Sequence, residues 1–266
     1  MAILTKQSIV HSQQSTDAVF INSKWTEQLT ARVVQNNVTP RRRHVEPDEA
    51  LQALRRSVSA RLEGLKVLGL RALPRAQQHE TKQDALARLE GEVMACTRCP
   101  LYRTRTRHVF GSGDPEARLV FVGEAPGREE DLQGKPFVGA AGQLLTKMIE
   151  AMGLKRERVY ICNVLKDRPP QNRLPQPEEI DACLPFLERQ LAIIRPEVIC
   201  VLGAIAAKAL LGPHVAITKI RGQVFDYQGI HLVPTFHPAF LLRNPPAKRL
   251  AWQDLKRLKA LLAREG

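Results

Sequence analysis

The sequence predicts a three-layer α/β/α fold, with helices on both faces of a central four-stranded, mostly parallel sheet. Two observations carry that expectation. Four short apolar or β-branched runs, at residues 118–122, 159–164, 198–202 and 231–235, are each closed by Gly, Asn, Pro or His. Between and after them, at 141–152, 177–194, 204–211 and 247–263, apolar residues recur every three or four positions, the spacing of one helix face. Strands alternating with helices read as crossover units, each packing a helix on the sheet.

The segments before the first strand are of another kind. Residues 1–46 are rich in Ser, Gln, Asn and Thr, carry a basic cluster at Arg41, Arg42 and Arg43, and lack periodicity, which reads as a disordered extension. Leu51, Leu54, Val58, Leu62 and Leu65 then recur at helical spacing and predict a peripheral helical segment within 47–85. The α/β domain follows over 86–266. A chain of 266 residues with 44% hydrophobic content can bury one substantial core, which excludes a peptide hormone or a disulfide knot. No stretch approaches the roughly 18 apolar residues of a membrane span, and no apolar signal core follows a basic start. Lys6 is the sole cation of the first twenty residues, which also hold Asp17, against an organelle transit peptide. The expectation is a cytoplasmic chain that works at the nucleoid.

Lys plus Arg outnumber Asp plus Glu by 40 to 27, a net charge of +13. The surplus is 14 to 9 over residues 1–90 and 26 to 18 over 91–266, so the folded part is itself basic. Such a balance points to an anionic partner, nucleic acid first. Five cysteines without a secretory signal read as thiols or metal ligands rather than a disulfide framework. Cys96-x-x-Cys99 is a soft-metal spacing that suits zinc as readily as iron–sulfur. Cys200, inside an apolar run, reads as a core thiol.

In folds of this class ligands sit outside the C-terminal ends of the strands. Gly123-Glu124-Ala125-Pro126-Gly127 follows the first run, Asn163 closes the second, Gly203 follows the third and His237-Pro238 follow the fourth, so one pocket collects Glu124, Asn163 and His237. A dinucleotide fold would need G-x-G-x-x-G directly after the first strand, but Gly111-Ser112-Gly113 precedes it, and there is no Walker loop.

Four blocks carry a family resemblance: the 123–127 loop; Lys135-Pro136-Phe137-Val138-Gly139-Ala140-Ala141-Gly142-Gln143-Leu144-Leu145; Asn163-Val164-Leu165-Lys166; and His237-Pro238-Ala239-Phe240-Leu241-Leu242-Arg243-Asn244-Pro245. In this order, over about residues 86–263, the chain resembles the family 4 uracil-DNA glycosylases, iron–sulfur enzymes of base excision repair. The resemblance implies a monofunctional hydrolase that cuts the N-glycosidic bond of deoxyuridine in uracil-containing DNA and leaves an abasic site; a monomer is the expected state.

That chemistry needs a stacking platform, a reader of the base edge and stabilisers of a uracil anion facing an oxocarbenium-like sugar. Phe137 is the expected platform. The Asn163 amide can accept from uracil N3–H and donate to O4, a pattern that cytosine reverses. His237, as neutral imidazole, can donate to O2, with backbone amides near Ala125 reinforcing it. Glu124 is the acid at the pocket's centre, available to position water and stabilise the sugar cation. Other glycosylase families place an Asp where Ala125 stands, so water activation does not come from that position. Glu130 is either a contact for uracil C5 or an exposed acid. Leu241 or Leu242 would fill the vacated stack while Arg243 holds a phosphate.

For the 4Fe–4S cluster, the resemblance implies Cys96, Cys99 and Cys183. Where the family has Lys-Cys-Arg, this chain reads Lys166-Asp167-Arg168. Asp167 is the preferred fourth ligand by position; water, Cys162, or a labile or absent cluster stay open. Lys166 is the residue nearest in sequence that could act as a Schiff-base nucleophile. Two rival readings remain: a glycosylase for another deaminated or mismatched base, and a non-catalytic iron–sulfur DNA-binding module.

Overall fold

A computed structural model describes residues 47–67 and 80–263. The expected disorder of 1–46 lies outside the described residues. Helix α1, Pro47–Val67, belongs to one unit and residues 80–263 to another. In α1 the side chains of Leu51, Leu54 and Val58 are exposed.

The second unit is built on one sheet of six strands: β1 Ser112–Gly113, β2 Leu119–Gly123, β3 Tyr160–Asn163, β4 Val198–Leu202, β5 Phe225–Tyr227 and β6 Ile230–Thr235. Their order is β1-β3-β2-β4-β6-β5. The four expected strands form the parallel centre, and β1 and β5 pair antiparallel at its edges. The expectation of four strands is thus corrected to six. Two and three residues are too short to show a period of two in sequence. Strand β5 exists because Gln228 and Gly229 both take positive φ (54° and 82°), the geometry of a tight hairpin turn that returns the chain as β6.

Both faces of the central strands are covered, so β2 and β4 are buried at every position and read as unbroken apolar runs. The strand period still sorts their side chains. Val120, Val122, Cys162, Ile199 and Val201 pack with Leu86, Leu89 and Val93 of α2 (Lys82–Met94) and with Leu187 and Leu191 of α5 (Pro177–Ile194). Leu119, Phe121, Ile161 and Cys200 pack on the opposite face with Leu145 and Ile149 of α4 (Ala140–Ala151) and Leu255 and Leu258 of α9 (Lys248–Leu262). Helices α3 (Arg128–Gln133), α6 (Ala204–Leu211), α7 (Ile217–Ile220) and α8 (Pro238–Arg243) complete the unit.

Helix starts follow local chemistry. Thr81 caps α2 by accepting from the Asp84 N–H, and α5 opens on Pro177 with Glu179 reaching back to the Gln176 N–H. No helix among the described residues is long and apolar enough to cross a membrane.

Candidate active site

The loops leaving the C-terminal ends of β2, β3 and β6 line a cleft of about 420 Å3. Since β3 lies beside β2 on one side and β6 lies beyond β4 on the other, the β2 loop is the floor and the other two loops are opposing walls. Glu124, Ala125, Glu130, Phe137, Asn163, His237 and Arg243, far apart in sequence, all line it.

Asn163 ends β3 in register with Gly123. Its Oδ1 is buried and has no hydrogen-bond partner. A buried acceptor left unpaired costs about 1–3 kcal/mol, a penalty that a ligand donor would relieve. The Phe137 ring is buried beside it, on a backbone at φ 52°, in the left-handed region unusual for a bulky residue. Arg156 holds that conformation, donating to the carbonyls of Pro136 (2.8 Å) and Phe137 (3.1 Å). Gly142 makes room for it, because a Cβ there would stand 1.8 Å from the Phe137 carbonyl oxygen.

His237 caps α8: its Nδ1 accepts from the Ala239 N–H at 3.1 Å. In the neutral ring the proton is therefore on Nε2. Burial, and then the Arg243 charge, push its pKa down to about 4, against a weaker pull from Glu130. The imidazole is a neutral donor at physiological pH. Phe137 and His237 rings stand 5.6 Å apart, tilted by 31°. A titration of nitrogen-15-labelled imidazoles should show His237 as the Nε2–H tautomer with a midpoint near 4. The sign for stability follows. Between about 4 and 6.5 the unfolded chain binds more protons than the folded one, so acidification through that window destabilises the fold.

Glu124 is half-buried, and burial raises its carboxyl above the ordinary range. Glu130, the expected neighbour of uracil C5, has both oxygens engaged. Oε2 accepts from the Gly127 N–H (3.1 Å), and Oε1 accepts from those of Val138 and Gly139 (both 2.9 Å). It ties the loop of Glu124 to the loop of Phe137. Of the two wedge candidates, Leu241 is 1% exposed and packed in the core, whereas Leu242 is 42% exposed. The expectation for Leu241 is corrected: a six-residue helix with one buried face turns the two neighbours in different directions.

Lys166 is fully buried and lines no part of the cleft; its Nζ donates to the Asn163 carbonyl (2.6 Å) and to Gln190 Oε1 (2.5 Å). It holds the Asn163 backbone from outside the cleft. The sequence reading passed over Pro169, Asn172, Arg173 and Leu174, which form the wall after β3. Its signal was the Pro169-Pro170 pair six residues past a strand-ending Asn.

Cys99 and Cys183 are close enough to interact, and that interaction favours ionising Cys99 and disfavours ionising Cys183. Cys96 packs against the same buried group. Asp167 lies near enough to Cys99 to oppose its ionisation, but both its oxygens are held by Arg105, at 3.1 and 2.9 Å. Arg105 also donates to the Met94 carbonyl, at 2.5 Å, at the end of α2. Three thiols are soft donors of the kind that iron–sulfur chemistry uses, while the fourth expected donor, the Asp167 carboxylate, is already taken by Arg105. Among the described residues no three such side chains converge to metal-binding distance. Cys162 lies on the sheet face of Cys99 and Cys183, with its thiol pushed up by burial, and Cys200 is a core thiol of the other face.

Residues 110–256 match the family described as the Uracil DNA glycosylase superfamily. The chain is 47% identical over 190 residues to the type-4 uracil-DNA glycosylase of Thermotoga maritima, covering 70% of this chain and 99% of that one. It is 44% identical over 182 residues to the type-4 enzyme of Archaeoglobus fulgidus, covering 65% and 92%. A more distant similarity, 36% over 153 residues and 49% and 68% of the two chains, is to the type-5 uracil-DNA glycosylase of Thermus thermophilus.

Proposed function

Because this chain belongs to the uracil-DNA glycosylase superfamily and is a uracil-DNA glycosylase of DNA repair, we propose that the cleft between the β3 and β6 loops receives the extruded base. The unpaired, buried Asn163 Oδ1 carries this reading. It would accept uracil N3–H while the amide NH2 donates to O4; cytosine offers no donor at N3, so the same acceptor would stay unpaired. Phe137 stacks on the base. His237 Nε2–H donates to O2 as negative charge develops there, reinforced by the Ala125 backbone N–H. Glu124, made more basic by its burial, orients water toward the sugar carbon and takes its proton as the C1′–N1 bond breaks. Glu130 limits the space beside uracil C5 through the loop it ties down. Leu242 enters the vacated stack, and Arg243 contacts a flanking phosphate.

The second part of the proposal is a 4Fe–4S cluster held by Cys96, Cys99 and Cys183, with Asp167 at the fourth position, shared with Arg105. When bound, such a cluster braces the 96–105 loop and supplies no step of the hydrolysis. The protein would act as a monomer in the cytoplasm at the nucleoid, on uracil-containing DNA, and the basic surplus supports the DNA part of that reading.

A labelled oligonucleotide with one uracil, incubated with the protein and treated with alkali, should break at the uracil and nowhere else. Strands carrying hypoxanthine, or thymine opposite guanine, should stay whole. Asn163→Asp should lose most uracil release, because an ionised carboxylate cannot donate to O4; wild-type kinetics in that variant remove Asn163 from the site. Anaerobically purified protein should be brown, with about four irons per chain. Asp167→Cys should slow loss of colour in air, because thiolate binds iron more firmly than carboxylate. Colourless protein carrying one zinc overturns the cluster.

A further inference from the structure

One side chain of the cleft is in an unfavourable place for a soluble protein. Leu174 is 66% exposed, more than any other large apolar side chain among the described residues, and it lines the cleft that holds Asn163 and His237. The segment that carries it is tightly held. Pro169, Pro170 and Pro175 limit its backbone, and Gln171 and Asn172 take left-handed φ of 55° and 56°. Arg168 donates to Asn172 Oδ1 at 2.7 Å. Arg173 is fastened to the buried Glu179 by two bonds, of 2.9 and 2.6 Å, and donates to the Leu174 carbonyl at 2.9 Å. An exposed leucine on a slack loop needs no explanation, but this one is fixed at the rim of the cleft by ion pairs and prolines.

We propose that Leu174 is a second apolar contact for the DNA stack, pressing on a base beside the extruded uracil from the β3 wall while Leu242 acts from the β6 wall. The inference rests on the cleft being the uracil site. The strand order supports it: the two walls flank the floor loop, so a nucleotide drawn into the cleft leaves its neighbours against the rim on both sides. The occupant is duplex DNA, because only there must stacking and pairing be broken before the base can enter. Arg173 positions Leu174 through its bonds to Glu179 and to the Leu174 carbonyl.

The test compares Leu174→Ala and Leu174→Met with the wild type on duplex and single-stranded uracil oligonucleotides. Alanine should lower kcat/KM on the duplex by about 10-fold, a modest part of the free energy of unstacking, and change the single strand less than about 2-fold. Methionine, apolar and of similar volume, should restore duplex activity. A duplex with 2-aminopurine next to an uncleavable 2′-fluoro-deoxyuridine gives an independent readout. The wild type should brighten it on binding, and the alanine variant should brighten it less at saturating protein. If wild type and Leu174→Ala agree on duplex rate and fluorescence, or if both substrates lose equally, Leu174 is not a stack contact even though the cleft still excises uracil. If the wild type releases no uracil from either substrate, the site reading itself fails and the inference with it.

Discussion

Replacing His237 with alanine should lower the rate of uracil release by about 100-fold or more, some 3 kcal/mol, the scale of one lost donor to a developing oxyanion. The size follows from the ring's condition. Its Nδ1 is committed to the Ala239 N–H, so Nε2–H is the only donor it can aim at the cleft, and it does so without carrying charge. A neutral donor strengthens its bond as the base becomes anionic, which favours the transition state over bound substrate. The same side chain caps α8, so alanine should also cost about 1 kcal/mol of stability. His237→Asn separates the two roles, since asparagine caps well but leaves the Nε2 position vacant. The expected pattern is a restored melting temperature, an unrestored rate and unchanged affinity for uncleavable uracil DNA. A variant that binds DNA poorly but turns over normally when saturated would make His237 a binding residue.

Gly123→Ala should be comparably damaging to activity for a different reason. A Cβ at this position would lie 2.3 Å from Asn163 Oδ1 and 2.6 Å from the Phe137 ring, so these two side chains cannot both stay in place. Neither can move cheaply. Asn163 is locked in the β2–β3 ladder and its carbonyl is held by Lys166, while Arg156 and Gly142 fix the Phe137 backbone. Misplacing positioning groups by about 1 Å is enough for a loss of order 100-fold. Overpacking should cost about 1–3 kcal/mol of stability. Steady-state excision at a temperature well below the variant's melting point checks this, and near-normal turnover there would show that the base does not sit between these two side chains.

Much of the architecture was readable because its signals are local. Strand β4 and helices α5 and α6 fall where periodicity places them, since fully buried strands write continuous apolar runs and α5 begins at a proline. The strand-end rule collected Glu124, Asn163 and His237 into one cleft. What escaped was decided by partners distant in sequence or by side-chain direction. Asp167 meets Arg105 across 62 residues, and no pattern in either segment announces that pairing. Leu241 and Leu242 are chemically identical, and only their packing separates them. Glu130 looks like one of three surface acids until its oxygens are traced to three backbone N–H groups. The left-handed backbone of Phe137 follows from Gly142 and Arg156, neither of which is adjacent to it.

Strand β3 is only four residues long, yet its last two side chains belong to opposite sides of the sheet: the Cys162 thiol is buried in the core on the face of α2 and α5, and the Asn163 amide lines the cleft. A slip of one residue in its pairing with β2 would exchange them, putting a thiol in the cleft where the amide stands and burying the amide among the apolar side chains of the opposite face. The ladder from Val122 and Gly123 to Cys162 and Asn163 therefore decides which of two neighbouring side chains, amide or thiol, the cleft receives.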